Sequence, residues 1–183
     1  DPKKKLAPGV PTALPQQWDE TQEHFMSHTK EMIRTSLTVL PSTVPLAAAL
    51  SCFETVLTIT TKPLTSPLAT KDVVTSLTQT INRAVRYHGL RDELYLQVIK
   101  QLNNNPRRDL ARQAWRLLDV LLEFVPPSSN FENYLDSFIR SMGADDLRLY
   151  RLYDILSIGI TGKQIEFVSE KEVGTTFRAI FKF

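Results

Sequence analysis

The sequence predicts an all-α protein, a multi-helix bundle of roughly seven to eight helices joined by Pro-rich loops. Three observations predict it. Apolar residues recur at three- and four-residue spacing along most of the chain. Eleven prolines fall mostly between those amphipathic stretches, where they act as helix punctuation. Hydrophobic content of 42% with a net charge of only +2 suits one sizeable buried core and argues against disorder.

Residues 1–15 carry Pro2, Pro8, Pro11 and Pro15 beside Lys3, Lys4 and Lys5, and read as an extended linker. Residues 16–183 are expected to form a single helical domain, with 159–183 as a less regular C-terminal extension. Its apolar end, Phe181-Lys182-Phe183, is what a piece of a longer protein would show. From Trp18, the spacing of Trp18, Phe25, Met32 and Leu37 predicts a helix running to Leu40 and ended by Pro41. Thr43 is the expected N-cap of the next helix, with Pro45 in its first turn and Leu46, Leu50, Phe53 and Leu57 as its buried stripe. A break at Lys62–Pro67 precedes a third helix, capped by Thr70, burying Leu77, Ile81, Ala84 and Val85, and stopped by Gly89.

A helix over Asp92–Asn104 follows at once. Leu90, Leu94, Tyr95, Val98, Ile99 and Leu102 cover more than half its circumference, so it should be central and mostly buried. Asn103-Asn104-Asn105-Pro106 breaks it. The helix from Leu110 to Phe124 turns Ala114, Leu117, Leu118, Leu121 and Leu122 inward. Pro126-Pro127-Ser128 closes it, and Asn130 is the expected cap of a helix carrying Phe131, Tyr134, Leu135, Phe138 and Ile139. Asp145 or Asp146 opens another, with Tyr150, Tyr153 and Leu156, stopped near Gly159. Gln164–Val168 reads as a short extended piece. Ser169 and Glu172 have capping-box spacing before a last helix to Ile180.

Catalytic motifs are missing. No Gly-rich phosphate loop, His-Glu-x-x-His or Gly-x-Ser-x-Gly occurs, so no enzyme activity and no cofactor are expected. His24 and His28, with Glu20 one turn earlier, have metal-ligand spacing on the predicted first helix, but an exposed polar face explains them better and no metal is expected. His88 reads as a residue near a helix end, and the pairs Asp92-Glu93 and Asp145-Asp146 as first-turn helix signals. The single Cys52, in an apolar stretch, excludes an internal disulfide and reads as a small buried hydrophobe. No apolar run approaches the roughly 20 residues that span a bilayer, so membrane insertion is not expected. Trp115 and Tyr95 near arginines resemble a base-stacking platform, but Trp115 falls on the inward side with Leu118 and Leu122, and nucleic acid is not expected as a partner.

Charge is segregated along the chain. Arg83, Arg86, Arg91, Lys100, Arg107, Arg108, Arg112 and Arg116 form a basic segment, and Asp119, Glu123, Glu132, Asp136, Asp145 and Asp146 an acidic one. Arg108, Arg112 and Arg116 lie four apart on one side of the Leu110–Phe124 helix, with Asp119 and Glu123 at its far end. That order opposes the helix macrodipole. Either internal pairs such as Arg116 with Asp119 account for it, or the arginines face an acidic partner. The candidate partner-binding surface is the basic patch Arg83, Arg86, Arg107, Arg108, Arg112 and Arg116.

The run Leu90-Arg91-Asp92-Glu93-Leu94-Tyr95-Leu96-Gln97-Val98-Ile99-Lys100-Gln101, the Asn105-Pro106 after it, Ala114-Trp115-Arg116-Leu117-Leu118, and Pro126-Pro127-Ser128 ahead of Tyr134-Leu135 resemble, in order and spacing, the signature of the myosin tail homology 4 domain. The resemblance runs from about Leu46 to Arg140 and is densest from Leu90 to Leu135. It implies a non-catalytic helical bundle of the kind found in tails of unconventional myosins, in a plant-type kinesin, and in some pleckstrin-homology and Rho-GTPase-activating proteins. A FERM module often follows directly in such chains. The partners it implies are microtubules or cargo and adaptor proteins, in a cytoplasmic, cytoskeleton-associated setting. The alternative is an adaptor scaffold in a signalling protein, binding a peptide without touching microtubules. Most signature residues, Arg91 and Trp115 among them, are expected to specify the fold, Arg91 through a carboxylate network tying helices together.

Overall fold

Six helices run through the residues described by the structure, a computed structural model covering 25–61, 67–142 and 167–181. They are α1 (Leu46–Thr61), α2 (Pro67–Arg86), α3 (Leu90–Leu102), α4 (Arg108–Phe124), α5 (Ser129–Ser141) and α6 (Glu170–Phe181). No strand occurs among the described residues. The expected linker over 1–15, the helix start at Trp18, the residues Glu20 and His24, and the helix expected from Asp145 or Asp146 lie outside them.

Helix α3 is buried on every side, as its all-round apolar pattern requires. Leu90, Leu94, Tyr95, Val98, Ile99 and Leu102 are all in the core. It packs against α1, α2 and α4. The Tyr95 hydroxyl donates to the Val125 carbonyl at 2.5 Å, fastening the end of α4, and burial holds the phenol well above its usual pKa. Asn104 follows at φ 52°, a left-handed position that asparagine tolerates. Helix α4 buries Ala114, Leu117, Leu118, Leu121 and Leu122 as expected, against α1, α3 and α6.

Three helix starts differ from expectation. α1 begins at Leu46 rather than at a Thr43 cap; Phe53 and Leu57 are buried as expected, with Ala49, Cys52 and Val56 beside them, but Leu46 is exposed and Leu50 half-buried. On the α3 side, Gln97 Nε2 donates to the Ala49 carbonyl at 3.0 Å. α2 begins at Pro67, whose missing N–H suits a first helical position, so Thr70 lies inside the helix and is buried. α5 is capped by Ser128, not Asn130. The Ser128 side chain accepts from Phe131 N, while Asp92 accepts from Ser128 N at 3.0 Å and Oγ at 2.6 Å. A carboxylate on α3 thus selects the cap.

Gly89 is not a left-handed helix stop. It has φ −68° and ψ −9° and precedes α3 directly. Its glycine identity answers to space, since a Cβ would sit 2.7 Å from Pro41 Cδ and 2.8 Å from Cγ. The capping box at Ser169 forms as read: Ser169 N donates to Glu172 Oε2 at 2.8 Å and Glu172 N to Ser169 Oγ at 3.3 Å. α6 then packs Val173, Phe177, Ile180 and Phe181 against α2 and α4.

The largest correction concerns the helix expected to run to Leu40. Phe25 and Met26 are helical, but residues 27–45 form an irregular strap. Its backbone groups find partners on α3 instead of in a helix. The buried Glu93 carboxylate accepts from Leu37 N at 2.9 Å, and from Thr38 N and Thr38 Oγ1 at 2.7 Å each. His28 N donates to the Asn103 carbonyl at 2.8 Å. Lys100 donates to the carbonyls of Phe25 and Ser27, and burial lowers its pKa. The expected Arg91–carboxylate network is not what ties these elements together. Asp92 and Glu93 bond to serine, threonine and backbone donors, and no described carboxylate forms an ion pair with Arg91.

Candidate partner-binding surface

The basic residues at the start of α4 divide by environment. Arg107, at the N-cap position, makes a two-point contact with Asp109: Nε to Oδ1 at 2.9 Å and Nη2 to Oδ2 at 2.6 Å. The hydrogen bonds from Arg107 pull the Asp109 carboxyl down to about 2, and the same bonds raise Arg107. The charge of Arg107 is therefore balanced locally. Arg108 and Arg112 are exposed, and no described carboxylate pairs with either. Arg116 is half-buried, its guanidinium 5.6 Å from the centroid of the Phe181 ring on α6. The spacing that aligned the three arginines holds, but only Arg108 and Arg112 are fully presented to solvent.

Arg83 and Arg86 lie elsewhere, in the last turn of α2, where the helix dipole favours them. α2 and α4 make little direct contact, and α6 packs on both. Arg83 is half-buried and Arg86 exposed, with the Arg86 guanidinium 5.9 Å from the Tyr87 ring centroid. They border a groove of about 780 Å³ between α1 and α2, with Ala47 and Ala48 along one side and Phe167 at its edge. Asn82 fixes that edge: its Nδ2 donates to the Val168 carbonyl at 3.0 Å, and its Oδ1 accepts from Val168 N at 2.9 Å. Sequence reasoning identified the arginines but not the groove. Tyr87 beside Arg86 was the one local signal; Phe167 is brought to α2 by contacts 86 residues apart in the chain.

The remaining candidates for chemistry are packing residues. Cys52 is buried, and desolvation pushes its thiol up to about 12. Tyr95 is fully buried, and Trp115 stacks on Phe138 with centroids 6.1 Å apart, so neither ring forms an open stacking platform. His28 is half-buried, its pKa lowered by burial and by nearby Lys30 and Lys100. Among the described residues, no group of three or more His, Cys, Asp or Glu is arranged to hold a metal, and no helix is long and apolar enough to cross a membrane.

Polar side chains that fasten helices from within, and arginines left on the outside, define the class: an all-α bundle built around one central polar-bonded helix. The family follows from comparison with known proteins. Residues 77–165 match the MyTH4 domain, the myosin tail homology 4 domain. The high molecular weight form of myosin-1 from Acanthamoeba castellanii is 33% identical over 127 residues, 69% of this chain and 8% of that protein. A kinesin-like protein of Arabidopsis thaliana is 38% identical over 56 residues, 31% of this chain and 4% of its own length. The chain thus spans a small fraction of these relatives. The MyTH4-FERM MF1 domain of Dictyostelium discoideum myosin VII has the same fold, with a TM-score of 0.71 at 24% identity over 90% of this chain and 34% of that one. The C-terminal MyTH4-FERM domain of human myosin 7b, solved in complex with a harmonin-a PDZ3 domain, matches with a TM-score of 0.58 at 20% identity, over 82% and 32% of the two chains.

Proposed function

We propose that this MyTH4 domain is a non-catalytic interaction module of a cytoskeletal motor or motor-like tail, binding microtubules or cargo proteins through its basic helical surface. The observation that carries the reading is the placement of Arg108 and Arg112. They are exposed and have no described acidic partner, and Arg108 stands in the first turn of α4, where the macrodipole opposes positive charge. The helix dipole does not favour Arg108 there, whereas an acidic surface such as that of a microtubule suits both arginines. Arg107 and Arg116 flank them on the same helix, Arg107 weakened by its Asp109 pair, while Arg83 and Arg86 add to the basic set from α2, apart from that face. The setting that fits is cytoplasmic and cytoskeleton-associated, with an adjacent FERM module in the same chain, as in the structural relatives.

Co-sedimentation with microtubules across a salt series tests this. Pelleting should fall steeply as salt rises, because contacts between exposed charges are screened over about 8–10 Å at moderate salt. R108E/R112E should abolish it without lowering the melting temperature read by circular dichroism. Undiminished pelleting of that variant would remove this face from the proposal. The second reading, a cargo adaptor without microtubule contact, draws support from the harmonin-a complex of the human relative. It predicts no pelleting at any salt.

A further inference from the structure

The groove between α1 and α2 is separate from the Arg108–Arg112 face and has its own chemistry. Ala47 and Ala48 line one side with small apolar groups, and the opposite side carries Arg83, Arg86 and Tyr87. Neither arginine pairs with a described carboxylate. Phe167 stands at the edge with 69% of its surface exposed, although the paired hydrogen bonds between Asn82 and Val168 hold its neighbour in place. An exposed aromatic ring and small apolar groups lining the same groove as two cations suit a ligand with both an apolar and an acidic part.

We propose that this groove binds an acidic, extended segment of a partner protein. One apolar side chain of the segment sits between Phe167 and the alanine side, and flanking carboxylates meet Arg83 and Arg86. Arginine's planar fork suits carboxylate oxygens, and the Tyr87 face beneath Arg86 limits the conformational freedom lost on contact. The inference rests on the chain being an interaction domain, and not on its touching microtubules.

Fluorescence anisotropy of the 183-residue chain with a short labelled polyglutamate peptide carrying one central Phe tests it. R83E/R86E should weaken binding by on the order of 10- to 100-fold, the loss expected for hydrogen bonds to charged groups. Ala47→Trp, which fills the groove from an exposed position, and Phe167→Ala should each weaken it as well, with unchanged thermal melts. R108E/R112E should leave peptide affinity unchanged, so this proposal and the microtubule reading fail separately. Equal affinity for a polyglutamate without Phe would reduce the site to general electrostatics and overturn the groove. Absence of binding to either peptide, whether the chain's own residues or a second copy covers the groove, would overturn it too.

Discussion

Helix α3 and the first turns of α4 carry the same kinds of side chain and use them in opposite ways. In α3, Glu93, Gln97, Lys100 and Gln101 are buried, and the first three bond to backbone groups of other segments. In α4, Arg108 and Arg112 point to solvent without a described acidic partner. Glu93 and Lys100 supply partners for a strap that has no regular secondary structure, and Gln97 bonds to the backbone of α1. The arginines face solvent, where the proposed reading gives them an acidic partner outside the bundle. Sequence polarity alone does not separate these roles; burial does.

The sharpest way to break the comparison is at Glu93. Glu93→Ala removes the acceptor for Leu37 N, Thr38 N, Thr38 Oγ1 and Gln97 Nε2 together. Hydrogen bonds to a charged group are worth about 1.5–3 kcal/mol each and are not additive, so a loss of about 3 kcal/mol or more is expected. Urea unfolding measures it, and hydrogen exchange at the Leu37 and Thr38 amides should accelerate in parallel. A loss no larger than at an exposed carboxylate such as Glu54 would mean that the strap is held by something else.

A smaller effect is expected where α3 selects the cap of α5. Asp92→Ala and Ser128→Ala should each cost about 1–2 kcal/mol, the range for a lost N-cap. Because both remove one Asp92–Ser128–Phe131 arrangement, the double variant should cost less than the two singles added. Full additivity would show that the two residues act independently.

The two regions also differ in how legible they were. α3 and α4 could be read because their periodicity is local and their cores are continuous, and the Ser169–Glu172 box because both partners lie within one turn. The strap could not be read. Phe25, Met32 and Leu37 have helix spacing, but the groups that decide its conformation, Glu93 and Lys100, lie 55 to 75 residues away. The cap at Ser128 was missed for the same reason, since Asp92 acts from 36 residues upstream. Glycine before a helix boundary has the pattern of a helix stop, whereas at Gly89 the sequence-distant Pro41 ring is what excludes a Cβ. For the basic patch, residue identity was legible but grouping was not. Arg83 and Arg86 edge a groove with Phe167, Arg107 is paired with Asp109, and Arg116 faces the ring of Phe181.

The smallest predicted effect separates fold from function most cleanly. Arg108 occupies the first position of α4, where an exposed positive charge is disfavoured and a negative one is favoured. Arg108→Glu should therefore stabilise the domain by about 0.3–1 kcal/mol at low salt, the usual size of a dipole contribution at a helix end. A glutamate there also stands one turn before Arg112, an orientation that adds a few tenths of a kcal/mol. The same substitution should reduce microtubule pelleting. A gain in stability joined to a loss of binding is the pattern of a residue kept for a partner at the fold's expense. If stability falls instead, Arg108 supports the bundle as Glu93 does, and the contrast between the two helices fails at that position.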